Sequence, residues 1–236
     1  MERAGHGQPA SLKRFLSRCA LSLPHRQNPT FPMSTLLALN LTLFQRLNAP
    51  AGLSGAGLWV AAFLAEGLIA AAPLVLAAGW LRARPGERQM VTSALAAVAL
   101  GGLCSTVFGL LLPMPRPFMA GIGHTYLAHA ADPSFPSDHV TLLATLAFVL
   151  LRAPGKAQRL SGTGLLVAAA LTGWARVFLG VHFPLDIVGA FAIAAGCAAV
   201  ATSAFTRALL AAVTVRAEQL YRHLLAYPIA RGWLNP

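Results

Sequence analysis

Arg116-Pro117, Pro136-Ser137-Asp138-His139 and Arg176-x5-His182-x3-Asp186 are three short polar clusters in a chain that is otherwise apolar. Together they hold two arginines, two histidines, a serine and an aspartate placed to pair with a histidine. His182 and Asp186 are four residues apart, so on a helix they share a face. There the aspartate can accept the Nδ1 proton of His182, fix its tautomer and leave Nε2 free as a nucleophile. The plainer reading of that pair is a helix-start cap. Arg176 just upstream, and the other two clusters, favour chemistry.

The second cluster reads as a helix start. Pro136 suits that position, and the free N–H groups that follow bind a phosphate oxygen with help from the helix dipole. Ser137 adds a hydroxyl, and Asp138 complements the dipole. His139, when protonated, can give its proton to a leaving group. Arg116 and Arg176 supply planar forks that grip phosphate oxygens in pairs. Either arginine alone would read as an interfacial residue meeting lipid headgroups. As a set, these groups describe phosphoryl transfer, in which positioning and charge stabilisation do most of the work. His182 would attack phosphorus, His139 would protonate the departing oxygen, and water would hydrolyse a phosphohistidine. No carboxylate cluster is spaced to hold magnesium, so the expected reaction needs no cofactor or metal.

Composition says what must position these groups. The chain has 236 residues, 56% of them hydrophobic and 11% charged, and its mean hydropathy is +0.63. Soluble domains carry about 25% charged residues, so this is a membrane protein. The net charge of +11 does not point to nucleic acid, because the basic residues lie in short loops and tails around apolar runs. Cys19, Cys104 and Cys197 are scattered and form neither a disulfide framework nor a metal-ligand spacing. The expected fold is an all-α polytopic bundle with five spans, near 57–81, 90–112, 139–151, 160–180 and 185–206. The third is short and is expected to be extended by its neighbours. Residues 34–48 are too short to span and read as an interfacial helix. The tail from Arg207 reads as a second surface helix.

Basic residues set the orientation. Arg82, Arg84, Arg88, Arg152, Lys156, Arg159, Arg207, Arg216, Arg222 and Arg231 fall on one side, which should be the cytoplasm. Between the spans, the other side holds only Arg116 and Arg176, so all three clusters reach one outer face and the C-terminus lies inside. Residues 1–32 are basic and do not fit that picture. The expectation is that the functional domain is 33–236, beginning at Met33, with 1–32 an extension. Glu66 lies mid-span, where an ionised carboxylate is costly, and is expected to face the bundle. Trp59, Trp80 and Trp174 read as interfacial anchors.

The order RP, PS-x-H, R-x5-H-x3-D resembles the type 2 phosphatidic acid phosphatase superfamily. HAADPSFPSDH (129–139) and ARVFLGVHFPLDIVG (175–189) are similar to its bacterial undecaprenyl-diphosphatase branch, the bacitracin-resistance type. The resemblance runs over roughly 34–236. Three positions depart from the superfamily pattern: Gly109 stands where a lysine is usual, Asp138 where a glycine is, and Ala175 where a serine is. The first two are common in this branch; the third leaves out one supporting hydroxyl. The resemblance implies a six-helix core, His182 as nucleophile, His139 as acid, and hydrolysis of undecaprenyl diphosphate on the outer face, recycling the lipid carrier of cell-wall synthesis. It also makes Pro117, Asp138 and His129 candidate substrate contacts, with the polyprenyl diphosphate and membrane lipids as partners. The core motifs read phosphate and not the lipid tail, so phosphatidic acid and phosphatidylglycerophosphate remain alternative substrates. A non-hydrolytic transporter, the reading from another class, should instead line several spans with polar residues at the midplane.

Overall fold

The computed structural model describes residues 33–82 and 86–236; the expectation for 1–32 falls outside them. The regular elements of the described residues are all helices, without strands. In chain order they form α1 (Met33–Leu47), α2 (Gly55–Arg82), α3 (Glu87–Leu111), α4 (Asp138–Leu151), α5 (Lys156–Phe178), α6 (Pro184–Ala201), α7 (Ala204–Leu224) and a short α8 (Ala226–Ala230). Four of these, α2, α3, α5 and α6, are long and apolar enough to cross a bilayer. Large apolar side chains such as Leu74, Leu110, Leu160 and Val188 stand on their outer surfaces, as a lipid solvent requires.

α4 departs from its expectation. It is not extended by its neighbours; it runs 14 residues, Asp138–Leu151, or about 21 Å at 1.5 Å per residue. Beyond Asp138 none of its residues is exposed. Val140, Leu143, Ala144, Leu146, Ala147 and Val149 are fully buried, packed among α3, α5 and α6. A helix shielded by its neighbours meets little lipid, so the length rule for a lipid-facing span does not bind it.

At one end of the bundle the start of α3 and the α4–α5 and α6–α7 turns converge. Gln158 Nε2 donates to Glu87 at 2.8 Å and Gln89 Nε2 to the Arg207 carbonyl at 3.0 Å. Buried Thr92 and Thr214 share a 2.7 Å hydrogen bond that ties α7 to α3. Trp80, read as an anchor, instead packs beside Arg88 and Tyr221. Arg88 and Tyr221 in turn donate to the Asn235 carbonyl, which fastens the C-terminal segment. Trp59 and Trp174 are exposed.

The other end is built from the 112–137 connection, the 179–183 connection and α1. α1 is more than a surface helix: Phe44 is fully buried and meets Phe183 edge-on at 5.1 Å, and Asn40 accepts from the Leu185 N–H at 2.9 Å. Asn48 donates to the His124 and Phe178 carbonyls at 2.9 and 3.0 Å, joining all three segments. Gly180 makes this junction possible. Its φ is +80° and a Cβ there would collide with the His124 carbonyl oxygen. Gly180→Ala should therefore destabilise the fold by about 1–3 kcal/mol from backbone strain alone, read as a lower melting temperature in detergent; an unchanged melt would show that the connection can shift.

Candidate active site

The end joined by Asn48 gathers the three clusters. Pro184 starts α6, and Asp186 caps it by accepting the Phe183 N–H at 2.8 Å. The same carboxylate oxygen lies 3.3 Å from His182 Nδ1. The capping and functional readings of Asp186 are thus both satisfied by one atom. His182 and Asp186 are 1% and 4% exposed, so their interaction is shielded from water.

Asp186 sets the tautomer of His182, and Arg116 lies against the ring. A carboxylate only accepts, so Nδ1 carries the proton toward Asp186 and the lone pair is on Nε2. Arg116 Nη1 lies 3.0 Å from His182 Nε2 and donates at 3.0 Å to the Val181 carbonyl; it also lies 3.5 Å from Nδ1, which places it beside the ring. Arg116 is itself held by the connection before α4: Nε donates to Asp132 at 2.8 Å and Nη2 to the Pro133 carbonyl at 3.3 Å. Burial would raise the Asp132 carboxyl, but the Arg116 hydrogen bond and charge outweigh it and hold the group below its ordinary value. His129 Nδ1 lies 3.5 Å from the same Asp132 oxygen, and its ring is 6.3 Å from that of His182.

The α4 side supplies Ser137 and His139. Ser137 is fully buried, and its N–H donates to the Asp186 carbonyl at 3.3 Å. Its Oγ has no hydrogen-bond partner among the described residues, and neither does Nε of the 1%-exposed Arg176. Two buried donors are thereby left for an anion. His139 is half-buried at the second position of α4, within electrostatic range of Arg176, His182, His129 and Arg116. Asp138 is exposed in the first turn, where it complements the helix dipole. Pro117 is buried, and its carbonyl accepts from Ala120 and Ile122 to close a turn.

An unforeseen device positions Arg176. α2 contains a π-turn at Phe63–Gly67, a register that frees backbone carbonyls and recurs at functional sites. The Leu64 carbonyl accepts from Thr172 at 2.9 Å and the Ala65 carbonyl from Arg176 Nη1 at 3.2 Å. Glu66 does not face the bundle as expected; on this turn it is exposed. The π-turn directs the Leu64 and Ala65 carbonyls at α5 and leaves the side chain that follows them outside. Ala175 is fully buried against Ala61 and Ala65, so an apolar contact occupies the position where a serine is usual. Gly109 lies against Pro133, with space for an ordinary contact.

Sequence reasoning missed Ser134, which is fully buried. Its Oγ donates to Asp186 at 2.5 Å and sits 3.5 Å from His182 Nδ1. The only sequence hint was its place three residues before Ser137. Among the described residues no group of three His, Cys, Asp or Glu is placed to hold a metal.

Burial pushes the His182 imidazole down to about 4, against the opposing pull of Asp186. The sign of the stability effect follows. Between about 4 and an ordinary value near 6.5, the unfolded chain binds this proton and the folded chain does not. The contribution is complete above the upper value and is lost as pH falls through the lower one. Wild type should therefore lose more melting temperature than His182→Gln between pH 7 and about pH 4; parallel curves would mean that His182 is not buried in its neutral form.

A buried histidine–aspartate pair, two arginines and a helix start at one end of a membrane bundle define a class: an integral-membrane protein that handles phosphate esters or anhydrides. The family follows from comparison. Residues 90–209 match the PAP2 superfamily, and the chain belongs to it. It is 37% identical over 198 residues to YbjG of Escherichia coli (strain K12), covering 84% of this chain and 98% of that one; that protein's name gives it provisionally as an undecaprenyl-diphosphatase. It is 35% identical over 136 residues to undecaprenyl-diphosphatase BcrC of Bacillus subtilis (strain 168), covering 56% and 66% of the two chains. Among solved structures, Aquifex aeolicus LpxE superposes with a TM-score of 0.54 at 26% identity, over 69% of this chain and 94% of that one.

Proposed function

We propose that this chain hydrolyses undecaprenyl diphosphate to undecaprenyl phosphate and inorganic phosphate, by way of a phosphohistidine, on the extracytoplasmic face of the membrane. The carrying observation is the buried His182–Asp186 pair, with Nε2 of His182 turned to Arg116. The lipid is supported by the names of YbjG and BcrC. The outer face, with a cytoplasmic C-terminus, is supported by the weight of arginine and lysine at the opposite end.

The terminal phosphoryl group enters between Arg116, Arg176, Ser137 and the N–H groups that open α4. Arg116 Nη1, beside the imidazole, takes a phosphoryl oxygen and holds phosphorus next to the Nε2 lone pair. Nε2 then attacks phosphorus, and the bond to the bridging oxygen breaks. His139 gives that oxygen its proton, and undecaprenyl phosphate departs. In the second half, His139 takes a proton from water, the hydroxide attacks phosphorus, and the P–N bond breaks. Asp186 keeps the imidazole oriented and stabilises its charge while the phosphohistidine exists.

The test is phosphate release by purified protein from undecaprenyl diphosphate, phosphatidic acid and phosphatidylglycerophosphate, compared by kcat/KM. A preference for either glycerolipid would replace the proposed substrate, and release from none of them would remove the reading.

A further inference from the structure

Resting on that reading, we infer that Ser134 is a positioning residue of the reaction, acting on His182 through Asp186. Three donors converge on Asp186 Oδ2: the Ser134 hydroxyl at 2.5 Å, the Phe183 N–H at 2.8 Å and His182 Nδ1 at 3.3 Å. The histidine contact is the longest of the three. The carboxylate is therefore fixed first by Ser134 and Phe183, and His182 meets an acceptor already in place. A carboxylate oxygen already accepting from two other donors is oriented to accept from His182 as well, which keeps the proton on Nδ1 and the lone pair on Nε2.

Ser134 is well placed for this. Its own N–H donates to the Met114 carbonyl at 2.8 Å, two residues before Arg116. Asp132 and Pro133, immediately before it, hold the Arg116 guanidinium. Residues 132–134 thus form one strap: two of them grip the arginine on the Nε2 side of the imidazole, and the third grips the aspartate on the Nδ1 side. The strap sets the spacing between phosphate grip and nucleophile. The Ser134 hydroxyl bonds Asp186 at 2.5 Å and only approaches His182 Nδ1 at 3.5 Å, so its main route to the nucleophile is through Asp186.

The experiment compares wild type, Ser134→Ala and the nearly isosteric, weakly donating Ser134→Cys, each also in an Asp186→Asn background. Ser134→Ala should lower kcat about 10–100-fold, as loss of a supporting partner does, with KM within about threefold. Ser134→Cys should fall between Ala and wild type. In the Asp186→Asn background Ser134→Ala should cost less than about threefold, because the route is already broken. Nitrogen-15 NMR of histidine-labelled protein, with His182→Gln for assignment, should show the Nδ1–H form of His182 dominant in wild type and eroded in Ser134→Ala. Unchanged kcat and tautomer in Ser134→Ala, or an equal loss in both backgrounds, would overturn the inference. The NMR arm uses no substrate. A wild type that releases no phosphate from any lipid therefore sinks the phosphatase reading alone, while an unaltered tautomer in Ser134→Ala sinks this one.

Discussion

His182→Ala should reduce phosphate release from undecaprenyl diphosphate to background, a loss of about 10⁴-fold or more, as expected when a covalent nucleophile is removed. Only Nε2 of His182 combines a lone pair, a fixed tautomer and an adjacent guanidinium. The Ser134 hydroxyl is committed to Asp186, and of the imidazoles in the site only that of His182 is paired with a buried carboxylate. The expected intermediate gives an independent readout. With substrate labelled in the terminal phosphate, rapidly quenched wild type should carry acid-labile, base-stable label, and His182→Ala should carry none. His182 is 1% exposed, so truncation leaves a cavity, and His182→Gln, which keeps most of the volume, serves as the control for folding. A folded His182→Gln protein that turns over at the wild-type rate would place the chemistry elsewhere.

Much of this fold was legible because a bilayer constrains sequence so strongly. Apolar runs gave the helices, and the alternation of basic loops put the three clusters at one end, where the structure brings them together. What escaped has a common physical origin. α4 is short because it is sheltered by α3, α5 and α6, and a local hydropathy window does not see shelter. Glu66 was expected inward because an ionised carboxylate is costly mid-span, but it stands exposed on a π-turn that nothing in FLAEG announces. Ser134 and Asp132 act through contacts separated by 52 and 16 positions along the chain. Those contacts depend on the path of the 112–137 connection, which has no periodicity to read. Asn48 joins segments 76 and 130 positions away in the same manner. Regular elements were readable from pattern; the irregular connections that aim their side chains were not.

Arg116→Lys should lower kcat about 10²–10³-fold, the cost of removing one preorganised donor from a developing oxyanion, although charge and much of the length are kept. The reason is geometric. Arg116 uses Nε on Asp132, Nη2 on the Pro133 carbonyl and Nη1 on the Val181 carbonyl and His182 Nε2. A single ammonium cannot span those directions, so a lysine that keeps the Asp132 ion pair abandons the nucleophile and the phosphoryl oxygen it must receive. Arg116→Ala separates this from folding. It leaves the Val181 and Pro133 carbonyls without this donor, at about 1–3 kcal/mol for each buried group that stays unpaired, and should lower the melting temperature more than Arg116→Lys does. Asp132→Asn supplies the remaining comparison, because it removes the charge that anchors Nε and leaves the guanidinium in place. If the strap positions the fork, Asp132→Asn should lose part of the Arg116→Lys factor in kcat with little change in melting. If Arg116 served only as a positive charge, Arg116→Lys would be nearly as active as wild type, and the forked grip on phosphate would have to be given up.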